Sequence, residues 1–391
     1  MIGKLKQRID GFTLVELAIV IVVIGILAGI VILAYSNSQS NARLTVLKSD
    51  LSTSSDTLNG YAPLNNGTLP ADLTSAQAAG VKNAVGTNVL YIPSSATSTS
   101  VTPQTFCLQE TYGAFTYFVS STVQVPTKGT CGPTNCPTNF IPVPGNATFG
   151  TSDFCIAKYE AKDTGGTPIV AAAGALYKYE TQATALSIAP SMCTGCHVPT
   201  EAEWMTVAAN VISMPINWSG GAVGTGYIYS GHNNDLPLME LPASTNDDNG
   251  YYQETPGYPN QKRTLYLSNG SVIWDIAGNQ WEWTQGTVAA NSQPGIVGEG
   301  GYTLKEWTNG SLVKRGIPAS SYPSAVSAQA ATWTSAQGIG ELSSYYGETT
   351  VHAFYRGGSR NNDAEAGVLS LELVADTNTI SWDTVGLRVT R

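Results

Sequence analysis

Charge is scarce in this chain: of 391 residues only 12% are Asp, Glu, Lys or Arg. Basic residues number 19 against 28 acidic, and beyond the first ten positions they form no cluster. A net charge of -9 without a basic stripe excludes nucleic-acid binding, because a phosphate backbone is held by clustered Lys and Arg. Histidine is limited to His197, His232 and His352, which leaves few candidates for imidazole acid–base chemistry or zinc ligation. Cysteine stops at Cys196, so the second half of the chain offers no thiolate for redox or soft-metal chemistry. What is abundant is apolar and aromatic: 42% hydrophobic residues, with 19 Tyr and 8 Trp, exclude wholesale disorder. The length suits two or three domains.

Lys4, Lys6 and Arg8 precede an apolar run from Phe12 to Tyr35 whose only charge is Glu16. Such a run is long enough to cross a bilayer, and basic residues before it predict a cytoplasmic N-terminal arm with the rest exported. A cleaved signal peptide has a shorter core and its cleavage site after that core. Here Gly11-Phe12-Thr13-Leu14-Val15-Glu16 lie before it. The segment GFTLVELAIVIVVIGILAGI resembles the N-terminus of type IV pilins and pseudopilins. The resemblance implies a leader over residues 1–11, cleavage after Gly11 by a prepilin peptidase at the inner membrane, and methylation of Phe12. It also implies that Glu16 pairs with the terminal amine of a neighbouring pilin subunit. A carboxylate in hydrocarbon needs such a partner. The expected location is the cell envelope, membrane-anchored before assembly and then on a pilus or the cell surface.

Leu44, Leu47, Leu51 and Leu58 form a helical stripe, predicting one helix over residues 12–60 that ends near Asn59 with Gly60 as its cap. Residues 61–138 read as a small β-rich unit with a Ser/Thr-rich linker at 94–105. Phe115, Tyr117 and Val119, then Val123 and Val125, alternate as paired strands do. In organisation this resembles the small sheet that follows the helix in pilins. Six cysteines in an exported chain point to disulfides, but fifteen connectivities are possible. Cys193-Thr-Gly-Cys196-His197 also matches the c-type haem attachment pattern. Haem is not expected, because the residues that follow fit a different pattern.

That pattern comprises IPVPGNATFGTSDFCIAKYEAK at 141–162, VPTEAEWMTVAANV at 198–211, VIWDIAGNQWEWT at 272–284, YRGGSRNN at 355–362 and VGLRV at 385–389. In this order the blocks resemble the formylglycine-generating-enzyme, or sulfatase-modifying-factor, branch of the C-type lectin fold over residues 139–391. The expected fold class is therefore α+β: a long pilin helix, a small β-rich unit and a C-type lectin fold. The residues also have direct readings. Thr200 and Glu203 form a capping box, with Trp204, Val207, Ala208 and Val211 facing a core. Trp274, Trp281 and Trp283 read as core aromatics around a turn at Gly278. The resemblance implies Ca2+ bound by the side chains of Asp275 and Glu282 and the main-chain oxygens of Gly278 and Gln280. Carboxylates capping their own loop or paired with Arg are the alternative. The enzyme family places a catalytic cysteine pair after the RGGS block, and RGGSRNNDAEAG has none, so neither copper nor catalysis is expected.

In the tail, Leu369, Leu371 and Leu373 take one face of a strand, while Ser370, Glu372 and Val374 take the other. Arg356-Gly357-Gly358, Asn361-Asn362, Ala366-Gly367-Val368 and Gly386-Leu387-Arg388 resemble the variable region of proteins diversified by a retroelement, here about 356–388. Arg360 and Leu387 depart from that pattern, as does the scarcity of Asn after residue 362. The resemblance implies a ligand surface of Arg360, Asp363, Glu365, Ser370, Glu372, Val374, Asp376, Trp382 and Asp383 facing an unknown protein or glycan. Arg356 and Arg388 are expected to pair inside the fold. The expected function is a non-catalytic, envelope- or pilus-anchored adhesin. A structural minor pilin or pseudopilin of a type IV pilus or type II secretion machine, with no ligand of its own, is the alternative.

Overall fold

The computed structural model describes residues 14–93, 104–178, 180–244, 261–374, 376 and 382–391, without the side chains of 14–16 and 28–38. It is an α+β protein: a long N-terminal helix, a small sheet and a larger β-rich body. Helix α1 runs Leu14–Leu64 and is followed by α2 (Leu73–Ala78). Strands β1 (Asn88–Pro93), β2 (Phe106–Tyr112), β3 (Phe115–Ser120) and β4 (Thr127–Lys128) form an antiparallel sheet in chain order. Leu47, Leu51, Leu58 and Ala62 pack from α1 onto Tyr91, Phe106, Leu108 and Val119. This contact explains why half the helix holds its leucine stripe among polar residues: the stripe buries and the rest faces water.

Two expectations are corrected here. The helix passes through Gly60 and ends four residues later, where Asn65 and Gly67 both donate to the Ala62 carbonyl and Asn66 and Gly67 take positive φ. A glycine inside a helix costs about 1 kcal/mol relative to Ala. The buried packing of Leu58 and Ala62 on either side of Gly60 outweighs that cost. Val123 and Val125 form no strand: Val123 and Ser120 exchange backbone hydrogen bonds as a turn, and Val125 is exposed. Residues 88–93, just before the linker tract in the stretch read as β-rich, supply edge strand β1. Positions 94–103 of the linker tract lie outside the described residues. So do Gly11 and Phe12, and nothing is described of the Glu16 side chain. Among the described residues no helix is long and apolar enough to cross a membrane. The apolar run read as a span, Phe12 to Tyr35, lies partly outside those residues.

The body begins with β5 (Phe140–Val143) paired to β6 (Phe154–Ala157), then β7 (Ala161–Asp163) paired to β8 (Pro168–Val170). Helices α3 (Gln182–Met192) and α4 (Glu201–Ile212) follow, then the hairpin of β9 (Thr264–Tyr266) and β10 (Val272–Trp274). The remaining strands are β11 (Trp281–Val288), β12 (Thr303–Lys305), β13 (Leu342–Ser344), β14 (His352–Gly357), β15 (Gly367–Glu372) and β16 (Val385–Gly386). They make one sheet in the order β12-β13-β15-β14-β11-β16, parallel at β13–β15 and β11–β16 and antiparallel elsewhere. Helix α4 starts at the capping box of Thr200 and Glu203 and buries Trp204, Val207, Ala208 and Val211. Trp204 Nε1 donates to the Val368 carbonyl at 2.9 Å, fixing α4 on β15. Arg356 is fully buried and grips Glu201 at the first turn of α4.

The small sheet and the body are tied across the expected boundary at residue 138. Cys136 bonds Cys155 of β6, while Cys107 bonds Cys131 and Cys193 bonds Cys196. Asn269, in the β9–β10 turn, donates to the carbonyls of Cys131 and Pro142 at 2.8 and 2.9 Å. Ser120 Oγ donates to the Ser268 carbonyl at 2.7 Å.

Candidate functional site

Two places in the body concentrate charge, and they differ in kind. The first is the loop between β10 and β11. Asp275, Gly278 and Asn279 all take positive φ, a tight path that Gly278 adopts without a side-chain penalty. Arg263 holds Asp275 in a fork, Nε to Oδ1 at 2.8 Å and Nη2 to Oδ2 at 2.6 Å. Arg388 holds Glu282 the same way, at 2.8 and 2.6 Å. The carboxylates proposed as calcium ligands are thus each neutralised by a guanidinium, and Arg388 also takes the Trp274 carbonyl. A third acid, Glu160, accepts from Asn279 Nδ2 and the Gln280 backbone. Lys162 is buried beside it, and burial pulls its ammonium pKa down to about 8. Burial, and then repulsion from Asp275, pushes the Glu160 carboxyl well above the ordinary range.

Asp275 and Glu282 are each already held by a guanidinium, so neither carboxylate needs an added ion. Ca2+ takes six to eight oxygens, and a carboxylate already filled by a bidentate arginine has little to give it. Among the described residues no group of three or more His, Cys, Asp or Glu is arranged to hold a metal ion. The set Asp275, Gly278, Gln280 and Glu282 does not fit calcium. It is an internal ion-pair network that locks β10, β11 and the last residues of the chain together.

The second place is on the surface and centres on Arg360. Its guanidinium pairs with Asp235, with Glu240 at 3.1 Å and with Asp383 at 3.3 Å. Lys178 pairs with Glu240 from the other side at 2.8 Å. The backbone fixes the same geometry, for Asp235 N donates to the Arg360 carbonyl and Arg360 N to the Asn279 carbonyl. Asp363 N donates to the Asn233 carbonyl, and Asn233 Nδ2 returns a bond to the Asp363 carbonyl. The tail is thereby stitched to the segment 233–240. Beside these anchors Leu236, Leu238, Met239 and Trp382 are exposed, Trp382 to 46% and Leu238 to 75%. Large apolar side chains left in water next to fixed charges make a surface suited to a partner.

The nine tail residues read as ligand contacts therefore separate. Arg360, Asp363, Trp382 and Asp383 belong to this surface, with Glu365 beside them partly buried. Ser370 does not: it is fully buried, and its hydroxyl donates to the Glu365 carbonyl. Glu372 lies between Tyr355 and Ser343 in the sheet register, largely covered. Burial pushes its carboxyl up to about 7, against the lowering effect of bonds from Ser343 and Tyr355. Val374 is half-buried, and Asp376 pairs in a bridge with His352, away from the Arg360 cluster. The alternation of the tail strand holds, with Leu369, Leu371 and Leu373 fully buried, but both faces of β15 are covered. Asp235, Leu236, Leu238, Met239 and Glu240 were not legible as site residues. The only local signal was a short apolar and acidic run in an otherwise polar loop.

The comparisons with known proteins fall at the two ends of the chain. Residues 6–32 match the family described as the prokaryotic N-terminal methylation motif. The N-terminus is type IV pilin-like. No curated protein matches the chain. Among solved structures, the Major Tropism Determinant P3c variant overlaps 79% of this chain and 72% of its own, at 10% identity and a TM-score of 0.31. The I1 and U1 variants overlap to the same extents, at 11% identity and TM-scores of 0.29. The methylation motif marks a pilus- or envelope-associated protein that is processed by a prepilin peptidase and assembled with other subunits.

Proposed function

We propose that the chain is a non-catalytic adhesin: a pilin-type N-terminus carrying a C-type lectin-like body that presents a ligand surface at Arg360 and Trp382. The observation behind this reading is the placement of exposed Trp382, Leu236, Leu238 and Met239 around one arginine that holds both chain segments in place. An exposed apolar cluster on a rigid mount loses little conformational entropy on binding, which is what a receptor surface needs. No cysteine follows Arg356-Gly357-Gly358, so the thiol pair of the enzyme family that the body resembles is missing.

The ligand is a protein or glycan on another surface, and residues 356–388 are the segment open to diversification. The test is a binding screen of the chain from Gln39 onward against glycans and bacterial or phage surface proteins. Binding that disappears in Trp382→Ala combined with Leu238→Asp supports the reading, while binding indifferent to both sinks it. Diversification is tested on the genome. A neighbouring reverse-transcriptase gene and a near-copy of the tail's coding sequence, differing at adenines, are expected.

A structural minor pilin with no ligand of its own is the second reading. It is favoured by the exposed apolar residues of α1 from Leu17 to Leu27, which suit packing against other subunits. Its signature is assembly into a filament that is unchanged by substitutions at Trp382 and Leu238.

A further inference from the structure

The Cys193-Thr-Gly-Cys196 bridge has no part in the surface described above, and it differs from the other two disulfides. Cys107–Cys131 and Cys136–Cys155 join positions 24 and 19 residues apart, whereas Cys193–Cys196 spans 3. A disulfide stabilises a fold largely by shortening the loops of the unfolded chain, so a bridge over so few residues adds the least. The local structure hardly needs it either. Cys193 follows the last residue of α3, the Cys196 amide donates to the Cys193 carbonyl, and His197 pairs by backbone with Thr390.

Its two sulfurs are also unequal. Cys193 is partly exposed, beside exposed Thr194 and Gly195, while Cys196 is buried to 3%. His197 follows Cys196 directly and its Nε2 lies 3.0 Å from Glu203, a contact that favours the imidazolium. The Arg391 side chain runs past the Gly195 turn. The difference in exposure directs an incoming thiolate to Cys193, the only sulfur of the two within its reach.

We propose that Cys193 and Cys196 form a thiol–disulfide exchange site, with Cys193 as the sulfur attacked by the thiolate of an external dithiol or thiol pair. The incoming thiolate bonds to Cys193 Sγ, the Cys193–Cys196 bond breaks, and its electron pair leaves on Cys196 Sγ. A second external thiolate attacks its own sulfur partner in the mixed disulfide, which forms the external disulfide and releases Cys193 as a thiolate. Both new thiolates take the protons given up by the two external thiols. The external pair is oxidised by two electrons and the protein pair reduced. Cys136 is partly exposed too, but its bridge joins the small sheet to β6 and is held oxidised by the folding it stabilises.

The test treats the native full chain with dithiothreitol or reduced glutathione, traps free thiols by alkylation over time and locates the label by peptide mass spectrometry. The expected result is opening of Cys193–Cys196 at least about tenfold faster than either other bridge, without denaturant. In Cys196→Ser, oxidised glutathione is expected to cap Cys193. Opening of all three bridges at one rate, or only in denaturant, overturns the proposal. So does a folded Cys196→Ser variant whose Cys193 stays uncapped. If that variant does not fold, the native kinetics alone decide.

Discussion

Arg360 reaches Asp383 at 3.3 Å while also holding Asp235 and Glu240, so the residue after exposed Trp382 is fixed to the loop that exposes Leu236 and Leu238. One side chain therefore sets the relative placement of two surface segments. Arg360 is mostly buried but two of its three partners are not, so its pairs are partly screened. Arg360→Ala is expected to cost about 1–2 kcal/mol of stability, between surface and buried ion pairs. Acrylamide quenching of tryptophan fluorescence should rise as the Trp382 segment loosens. Unchanged quenching with unchanged melting would show that the pairs do not position the tail.

The Arg388–Glu282 fork is fully buried, and removal of one partner leaves a charge without a counterion. Arg388→Met should destabilise the body by about 3–5 kcal/mol, read as a lower denaturation midpoint with unchanged slope. Because Asp275 and Glu282 are each held by an arginine, neither calcium nor a chelator should move the melting temperature of the native protein. A rise on adding calcium would contradict the assignment of Asp275 and Glu282 to arginine.

Glu372 titrates near 7 in the fold because burial disfavours its charged form. An acid with a raised folded pKa stabilises the fold below its unfolded value and loses that contribution as pH rises through the folded one. Stability should therefore fall between about pH 4.5 and pH 7, by up to about 3 kcal/mol from this group alone. Glu372→Gln should flatten that limb, so its advantage over the native protein grows with pH. Denaturation midpoints at several pH values measure it, and parallel curves for the two proteins would refute it.

Leu51 is buried at the centre of the α1 stripe. Leu51→Ala should cost about 2–5 kcal/mol, depending on how far the helix and sheet close over the gap. Circular dichroism during urea titration, followed for the helix and the β-rich body, checks this. A loss confined to the helix signal would show that the small sheet unfolds separately from the body despite Cys136–Cys155.

The pilin-like terminus was legible because a membrane address is written in consecutive residues, basic arm then Gly11-Phe12 then apolar run, and the methylation motif matches there. The capping box at Thr200 and Glu203 was legible for the same reason: its partners are three residues apart and meet in the helix that they start. The end of α1 was misread at Gly60, where a local signal competed with packing that only the sheet supplies. The surface roles of Ser370 and Glu372 were misread because strand alternation separates two faces without saying what covers each of them.

Sequence by itself determined the α+β composition, the N-terminal motif, the aromatic core at Trp274, Trp281 and Trp283, and the lack of late cysteines. These depend on neighbours along the chain or on residue type. Tertiary structure alone decided which carboxylates stay available. Asp275 and Glu282 are taken by Arg263 and Arg388, twelve and 106 residues away, and Asp383 is taken by Arg360. Charges find partners through space, where Coulomb attraction falls with distance and not with sequence separation. A lone sequence can show an acid, but only the folded chain shows whether a base already holds it.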